Sequence, residues 1–445
     1  MTTRVIIVRH GESTYNVERR VQGHCDNSIL TEKGRSMAVQ VGTALREIAF
    51  DAIYSSPLKR ANETANLIAA QLSQPLTVQT IDQIKEINLP WWEELLFTDV
   101  EHKYPDEYRL WRDAPHQLKM TLADGQEFLP VPDLYDRARQ FWQTILPQHP
   151  NQTLLIVAHS GINRALINGA IGLTPADYQR IDQSNCGITV LNFSGGLGDP
   201  VQIESLNLTA HLGTPLPKAK KQETMRFLLV RHGETQWNRE GRFQGQIDVP
   251  LNENGKRQAD QAGEFLKDVQ IDAAVSSPMA RPKETAERIL QHHPDVALTT
   301  LVDLCEISHG TWEGKLEAEI RSEYPGLLEQ WQTQPETVQM PEGENLGDVW
   351  RRAETAWAEI VAAAKPGTTT LVVAHDAINK ALLCQIIGLG SASFWNFKQG
   401  NGAVSVIDYN SINAAGNVTG NPILRASNIT VHLGGVLDKT AAGAL

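Results

Sequence analysis

The feature that most constrains this chain of 445 residues is that one series of motifs occurs in it twice. Residues 4–16 read RVIIVRHGESTYN, and residues 226–238 read RFLLVRHGETQWN. The segment LLIVAHSGINRAL at 154–166 likewise returns as LVVAHDAINKAL at 371–382. A solenoid repeat is only about 20–45 residues long, so a period this large is a duplicated domain.

A change in composition separates the two copies. Residues 214–224 read TPLPKAKKQET, with two prolines, three lysines and no apolar periodicity, which is typical of an exposed linker. We expect a first domain at residues 1–213, a linker at 214–224 and a second domain at 225–440. The length agrees, because a single core stops growing at roughly 250–300 residues.

Short apolar runs alternate with amphipathic segments in each copy. Residues 5–8 and 154–157 are typical of buried strands, and residues 31–49 carry apolar side chains at helical spacing. This alternation predicts an α/β fold of two tandem three-layer α/β/α domains, each with a mostly parallel central sheet. Ligands bind such sheets at the carboxyl ends of the strands. His10 and His159 each follow a predicted strand, so we expect both at that edge.

The composition excludes several classes of function. The formal net charge is −12, and an acidic surface repels nucleic acid and anionic membranes, so we expect neither as a partner. No apolar run approaches the roughly 20 residues that span a bilayer. The four cysteines are scattered without a C-x-x-C pair, which argues against a zinc site and a disulfide framework. The start of the chain does not read as a signal peptide, and we expect a cytoplasmic protein.

Each copy contains the residue types that phosphoryl transfer needs. A phosphate monoester is a dianion, so its transfer requires cationic donors, an in-line nucleophile and a proton source for the leaving oxygen. Arg9 and Arg60 offer planar forks, and Asn16 offers a neutral donor. One histidine can attack as a neutral imidazole while the other stays protonated as a donor, and Glu86 is the candidate for proton transfer. The second copy supplies the same set: Arg231, His232, Asn238, Arg281, Glu306 and His375.

The order R-H-G-E, S-S-P-x-x-R, a lone Glu and then A-H resembles the histidine phosphatase superfamily, also called phosphoglycerate-mutase-like. The resemblance covers nearly the whole chain, twice. It implies that His10 and His232 are nucleophiles that form a phosphohistidine on a small-molecule phosphate ester, and that Glu86 and Glu306 act as acid and base. It implies neither metal nor other cofactor. It implies a phosphate site made of Arg9, Arg60 and His159, and of Arg231, Arg281 and His375.

The first copy also resembles a narrower group. SNCGITVLNF at 184–193, PVPDLYDRA at 130–138 and AHSGINRALI at 158–167 are similar to plant phosphatases that act on 2-carboxy-D-arabinitol 1-phosphate. This resemblance implies a sugar acid or sugar phosphate as substrate. The second copy resembles generic small-molecule phosphatases of the superfamily. Four cations of the first copy are available to contact a substrate carboxylate, or are solvated surface charges: Lys85, Arg109, Arg112 and Lys119.

Two alternatives to a pair of phosphatases remain. A phosphoglycerate mutase would return the phosphoryl group to another hydroxyl, but its proline-rich closing segment has no match here. One copy could instead be a non-catalytic domain that binds a phosphate ligand and regulates the other, although both copies keep the full motif set. The second copy has Asp376 where the first has Ser160. A carboxylate repels phosphate, so Asp376 must turn away or the second site is altered.

Overall fold

The computed structural model describes residues 2–219, 223–410, 418 and 420–438. It divides the chain into two compact units, Met1–Pro215 and Leu216–Leu445, called unit one and unit two below. Part of the predicted linker, residues 220–222, and the predicted end of the second domain at residue 440 lie outside the described residues. None of the helices in the described ranges is long and apolar enough to cross a bilayer.

Unit one alternates strands and helices from its first residues. Its strands are β1 (Thr3–Arg9), β2 (Ala52–Ser55), β3 (Val78–Thr80), β4 (Met120–Thr121), β5 (Glu127–Phe128), β6 (Thr153–Ala158), β7 (Ile188–Phe193) and β8 (Val201–Leu208). Its α-helices are α1 (Thr14–Glu18), α2 (Glu32–Ala44), α3 (Lys59–Ala69), α4 (Phe97–Lys103), α5 (Pro105–Asp113), α6 (Pro130–Ile145) and α7 (Ser160–Ala170).

The central sheet of unit one has the strand order β8-β7-β1-β6-β2-β3. β1 pairs in parallel with β6, β6 with β2 and β2 with β3, whereas β7 is antiparallel to both β1 and β8. Val5 lies opposite Leu154 in the register of β1 and β6. The apolar runs of these two strands are fully buried, as expected of parallel strands covered on both faces. The predicted fold class is therefore confirmed.

The direction of the connections fixes which face each helix covers. The chain moves outward from β1 to β2 and β3, then returns to β6, which lies beside β1. Because crossover connections are right-handed, outward and returning helices lie on opposite faces of the sheet. Accordingly α2 packs on α3, and α6 packs on α7. β1 and β6 are adjacent strands whose following helices go to opposite faces, and a crevice at their carboxyl ends is the usual ligand site.

Unit two repeats this construction. Its strands are β9 (Met225–Arg231), β10 (Ala273–Ser276), β11 (Leu298–Thr300), β12 (Thr369–Ala374), β13 (Val404–Tyr409) and β14 (Ile423–Ile429). Its α-helices are α8 (Gln236–Glu240), α9 (Glu253–Leu266), α10 (Ala280–Ile289), α11 (Glu317–Glu323), α12 (Leu327–Thr333), α13 (Leu346–Ala363) and α14 (Asp376–Ile387).

The sheet of unit two has the strand order β11-β10-β12-β9-β13-β14. β9 pairs in parallel with β12, β12 with β10 and β10 with β11, and β13 is antiparallel to β9 and β14. Leu228 of β9 lies opposite Leu371 of β12. β9 and β12 thus take the places of β1 and β6, and the same crevice lies at their carboxyl ends.

A close approach of two backbones fixes the loop after β1. A side chain at Gly11 would collide with the carbonyl oxygen of Gly34 in α2, and one at Gly34 would collide with the carbonyl of Glu12. Thr31, the N-cap of α2, donates its backbone N–H to the Glu12 oxygen at 2.9 Å. The start of α2 therefore packs directly on the loop that follows β1, with no room for a methyl group between them.

Replacing Gly34 with Ala is expected to destabilise unit one by about 1–3 kcal/mol, because backbone atoms must move to admit the new methyl group. Gly169 in α7 is the matched control, since apart from its chain neighbours and the backbone of its own helix no atom lies within 4 Å of the point that a methyl group there would occupy. Gly169→Ala should be neutral or stabilise by up to about 1 kcal/mol through helix propensity. Urea unfolding of both full-chain variants measures this difference, and equal midpoints would contradict the packing described.

Candidate active site

Three adjacent parallel strands place the predicted residues of unit one side by side. β1 ends at Arg9 and is followed by His10, β6 is followed by His159, and β2 ends at Ser55 and is followed by Ser56. The ring centroids of His10 and His159 are 5.1 Å apart, with the rings inclined by 63°. The strand register thus brings together motifs that are more than a hundred residues apart in sequence.

The hydrogen bonding of His10 determines which of its nitrogens can react. Its Nδ1 lies 2.7 Å from the carbonyl oxygen of Gly11. A carbonyl can only accept, so Nδ1 carries the hydrogen and Nε2 keeps the lone pair. His10 is 2% exposed, and burial, reinforced by Arg60 and Arg9, holds its pKa well below the ordinary value. The imidazole is therefore neutral near pH 7, with Nε2 able to act as a nucleophile.

Two arginines of unit one each have a buried N–H group without a partner. Arg60 donates from Nη1 to the carbonyl of Cys25 at 2.9 Å and from Nη2 to that of Gly23 at 3.0 Å. Arg9 donates from Nη1 to the carbonyl of Gln183 at 2.8 Å. The Nε atoms of both arginines are buried and have no hydrogen-bond partner in the protein. Such groups are rare in folded proteins and point to a ligand.

His159 completes this group of donors. Its Nε2 lies 2.8 Å from the Ser56 hydroxyl, and its Nδ1 is buried without a partner. Burial, followed by the charges of Arg60 and His10, lowers the pKa of His159 well below its ordinary value. The expectation that this histidine stays protonated is therefore wrong for the unliganded site. A bound phosphate dianion would favour the charged imidazolium and raise the pKa.

Glu86 reaches the site through the helix that follows His159. Its carboxylate accepts the backbone N–H of Gly161 at 3.1 Å and of Ile162 at 3.2 Å, both in the first turn of α7. It also accepts the N–H of Ile87 at 2.9 Å. Helix N-termini favour negative charge, which accounts for a lone glutamate held at this point.

Asn16 is held in place by residues that the sequence motifs did not single out. Its Oδ1 accepts from the backbone N–H of Ser13 and from Nδ2 of Asn185, each at 3.1 Å. Asn185 also donates to the carbonyl of His10 at 2.9 Å. The repeat could have identified these additional site residues, because the same residue types recur at matching positions of the second copy. The overlooked pairs are Gln183 and Gln399, and Asn185 and Asn401.

Unit two holds its histidines in the same geometry. His232 Nδ1 lies 2.7 Å from the Gly233 carbonyl, and the centroids of His232 and His375 are 5.2 Å apart. His375 Nε2 lies 2.9 Å from the Ser277 hydroxyl. Arg281 Nε donates to His232 Nε2 at 3.3 Å. A guanidinium has no acceptor, so this contact agrees with a lone pair on Nε2.

The cleft of unit two is lined by the predicted Arg231, His232, Asn238 and Glu306. The Glu306 carboxylate accepts the backbone N–H of Ala377 at 3.1 Å, at the start of α14. Burial, and then the charge of Asp376, raise the pKa of Glu306 above its ordinary value. Among the residues that the structure describes, no group of three or more His, Cys, Asp or Glu side chains could hold a metal ion.

Asp376 does not turn away from the cleft. It lines the cleft with Arg231 and Glu306, and its Oδ1 lies 3.6 Å from Arg231 Nη1. Its Oδ2 accepts from Lys380 Nζ at 2.6 Å, one helical turn along α14. Of the two outcomes expected from the sequence, the structure therefore has the second, an altered site in unit two.

The four cations considered for a substrate carboxylate in unit one are surface charges. Lys85, Arg109 and Arg112 each pair with an aspartate within three residues in sequence, at distances of 3.0 to 3.8 Å. Lys119 is exposed. Local ion pairs of this kind are the common fate of charged side chains at a protein surface.

The four site histidines, His10, His159, His232 and His375, are expected to remain neutral at about pH 6, where a free histidine is mostly protonated. The reason is that burial lowers each pKa. Nitrogen chemical shifts of ¹⁵N-histidine-labelled protein measure this, with His10→Gln and His232→Gln assigning two of the signals. For His10 and His232 the hydrogen should lie on Nδ1. Imidazolium shifts at that pH, or hydrogen on Nε2, would contradict the tautomer inferred here.

Comparison with known proteins places this site in a family. The sequence pattern of the histidine phosphatase superfamily (branch 1) matches residues 5–206 and 227–417. The chain is 31% identical to the 2-carboxy-D-arabinitol-1-phosphatase of Triticum aestivum, over 97% of this chain and 86% of that protein. It is 33% identical to phosphoserine phosphatase 1 of Hydrogenobacter thermophilus, over 47% of this chain and 95% of that protein.

Among solved structures, the α-ribazole phosphatase of Shigella flexneri is 27% identical, with a TM-score of 0.41, covering 46% of this chain and 96% of that one. The likeness to the wheat enzyme runs through both copies of the repeat, whereas the motifs of the sequence indicated it only in the first. With both halves matched to one family pattern, the chain belongs to the histidine phosphatase superfamily and is a phosphatase with two tandem copies of that domain.

Proposed function

We propose that each unit hydrolyses small-molecule phosphate monoesters through a phosphohistidine, without a metal ion. The observation that carries this proposal is the neutral His10 with its lone pair on Nε2, enclosed with donors that lack a protein partner. Those donors are the Nε atoms of Arg9 and Arg60 and the Nδ1 atom of His159. Three such donors suit the three equatorial oxygens of a phosphoryl group.

In the first step His10 Nε2 attacks phosphorus while the bond from phosphorus to the leaving oxygen breaks. Glu86 gives its proton to that oxygen, so the alcohol departs uncharged. The negatively charged equatorial oxygens accept hydrogen bonds from Arg9, Arg60 and His159, so the buried N–H groups of these residues gain partners. In unit two the raised pKa of Glu306 favours the protonated form that this step requires.

In the second step water attacks the phosphohistidine and Glu86, now a carboxylate, takes a proton from that water. The bond from phosphorus to Nε2 breaks, and the lone pair returns to the nitrogen. Throughout, the hydrogen bond from Nδ1 to the Gly11 carbonyl holds the ring and stabilises the positive charge that it carries while phosphorylated. The two steps together consume one water and release one phosphate.

For unit one we propose a phosphorylated sugar acid as substrate, such as 2-carboxy-D-arabinitol 1-phosphate. The likeness to the wheat enzyme supports it. Unit one also has Ser160 where unit two has a carboxylate. Arg164 of α7 lies 5.5 Å from the ring centroid of Tyr178, and the Tyr178 hydroxyl and the Glu86 carboxylate both lie against Gly161. Although it pairs with Asp182, Arg164 is therefore a better candidate for a substrate carboxylate than the four surface cations.

Replacing one of the two nucleophilic histidines should abolish the phosphatase activity of its own unit and leave the activity of the other unit. His10→Ala and His232→Ala are each expected to retain the activity of the other site on p-nitrophenyl phosphate, and the double variant to lose it at least about a thousandfold. Activity should persist in chelator. His102→Ala, at an exposed position in α4, is the control and should match the unaltered protein. Strict dependence on added metal, or complete loss in His10→Ala alone, would overturn the proposal.

The substrate of unit one is tested in full-length protein carrying His232→Ala, so that only the first site turns over. We expect a higher kcat/KM for 2-carboxy-D-arabinitol 1-phosphate than for 3-phosphoglycerate or phosphoserine, because the likeness to the wheat enzyme supports a sugar acid as the leaving group. The His10→Ala protein reports unit two under the same conditions. A tenfold preference for either of the other esters, about 1.4 kcal/mol of transition-state binding, would show that the proposed substrate is wrong.

A further inference from the structure

The two sites differ most at the residue after the second histidine. In unit two this residue is Asp376, which is 8% exposed and lines the cleft beside Glu306. Its Oδ2 accepts from Lys380, whereas its Oδ1 lies 3.6 Å from Arg231 Nη1 and has no hydrogen-bond partner in the protein. A buried carboxylate oxygen with unused acceptor capacity, at the wall of a cleft, is suited to accept a hydrogen bond from a ligand.

Beyond the phosphate site, Arg242 is the one cation among the described residues that line the cleft. His309, Trp331 and Phe394 line this part of it. Burial lowers the pKa of His309 to about 4, so its ring is neutral. Trp331 and Phe394 are in contact, with ring centroids 5.3 Å apart. This wall therefore offers aromatic faces and acceptors to a leaving group.

Two cations beside this wall that do not belong to the phosphate site, Lys380 and Arg242, are already engaged. Lys380 is 1% exposed, pairs with Asp376 and lies over the rings of Phe394 and Trp395 at 5.2 and 4.5 Å. Arg242, which lines the cleft, donates to the carbonyl of Gly314 at 2.7 Å and pairs with Glu240 at 2.6 Å. A negatively charged leaving group would thus face the Asp376 carboxylate, while Lys380 and Arg242 are already paired with carboxylates.

We infer that unit two acts on phosphate esters whose leaving group carries no negative charge and offers a hydroxyl or ammonium donor, and that Asp376 selects for it. The inference rests on the proposed phosphatase activity of unit two. A hydroxyl or ammonium group can donate to Oδ1, and the two rings contact its carbon atoms or its charge. A carboxylate at the same place is repelled in a buried site, where like charges interact strongly.

Unit one has the opposite arrangement at the matching positions. Ser160 replaces the carboxylate, and Arg164 stands where unit two has Lys380. Arg164 pairs with Asp182 at 3.2 Å rather than with residue 160. The two units of one chain therefore divide phosphate esters by the charge of the leaving group, with anionic leaving groups going to unit one.

The test compares glycerol 3-phosphate with 3-phosphoglycerate, which differ by a hydroxymethyl group in place of a carboxylate. In full-length protein carrying His10→Ala, kcat/KM for glycerol 3-phosphate should be at least about tenfold higher. Asp376→Ser in that background should bring the ratio of kcat/KM for glycerol 3-phosphate to kcat/KM for 3-phosphoglycerate to within about threefold of unity. The ratio is the readout because a loss of folded protein lowers both rates equally and leaves the ratio unchanged.

Asp376→Ser leaves the buried Lys380 without its partner and can reduce folding. A reciprocal variant in unit one therefore tests the same inference independently. Ser160→Asp, in protein carrying His232→Ala, places a carboxylate four residues before Arg164, the spacing at which Asp376 pairs with Lys380. It should move the ratio of unit one about tenfold toward glycerol 3-phosphate. Ser160→Asn, of similar size but uncharged, is the control and should leave the ratio unchanged.

The outcomes separate this inference from the proposed function. If the His10→Ala protein hydrolyses no ester, including p-nitrophenyl phosphate, the phosphatase proposal for unit two fails and the inference fails with it. If that protein is active on p-nitrophenyl phosphate but hydrolyses the matched pair equally or not at all, only the inference is overturned. A ratio that neither carboxylate variant moves would make Asp376 a structural partner of Lys380.

Discussion

The chemistry of the site depends on one hydrogen bond, from His10 Nδ1 to the carbonyl oxygen of the next residue, Gly11. It puts the hydrogen on one nitrogen and leaves the lone pair on the other, where the attack on phosphorus must begin. The bond requires the chain to turn at the end of β1, and that turn is held by the close packing of Gly11 on Gly34. Burial among cations then keeps the ring neutral. Unit two reproduces the bond at His232 with the same length.

Much of this site could be predicted from the sequence, because residues next to strand ends are fixed by the sheet. The parallel pairing of β1 with β6 is enough to bring His10 and His159 together once both strands are recognised. What could not be predicted depends on burial and on contacts between distant loops. The neutral form of His159 in the unliganded site depends on desolvation, which composition does not report. The contact of Glu86 with the start of α7 depends on the path of a loop without a regular pattern.

The two copies form an internal comparison that separates the shared chemistry from what has changed around it. Next to Glu86, unit one has Gly161 and the Tyr178 hydroxyl, and a side chain at Gly161 would collide with the Glu86 carboxylate and with that hydroxyl. Unit two has Ala377 and Phe394 at these positions. The residues proposed to bind phosphate keep their type in both copies, whereas the two residues that follow the second histidine differ in size and charge.

In the proposed mechanism a histidine carries the phosphoryl group between the two steps. The most direct test is to locate that group on the protein during turnover. Protein quenched in base while hydrolysing a phosphate ester, then digested and analysed by mass spectrometry, should carry one phosphoryl group on the peptide with His10 and one on the peptide with His232. We expect that His10→Ala removes the first label and keeps the second. Phosphate on other residues, or none on either histidine during steady hydrolysis, would contradict the phosphohistidine mechanism.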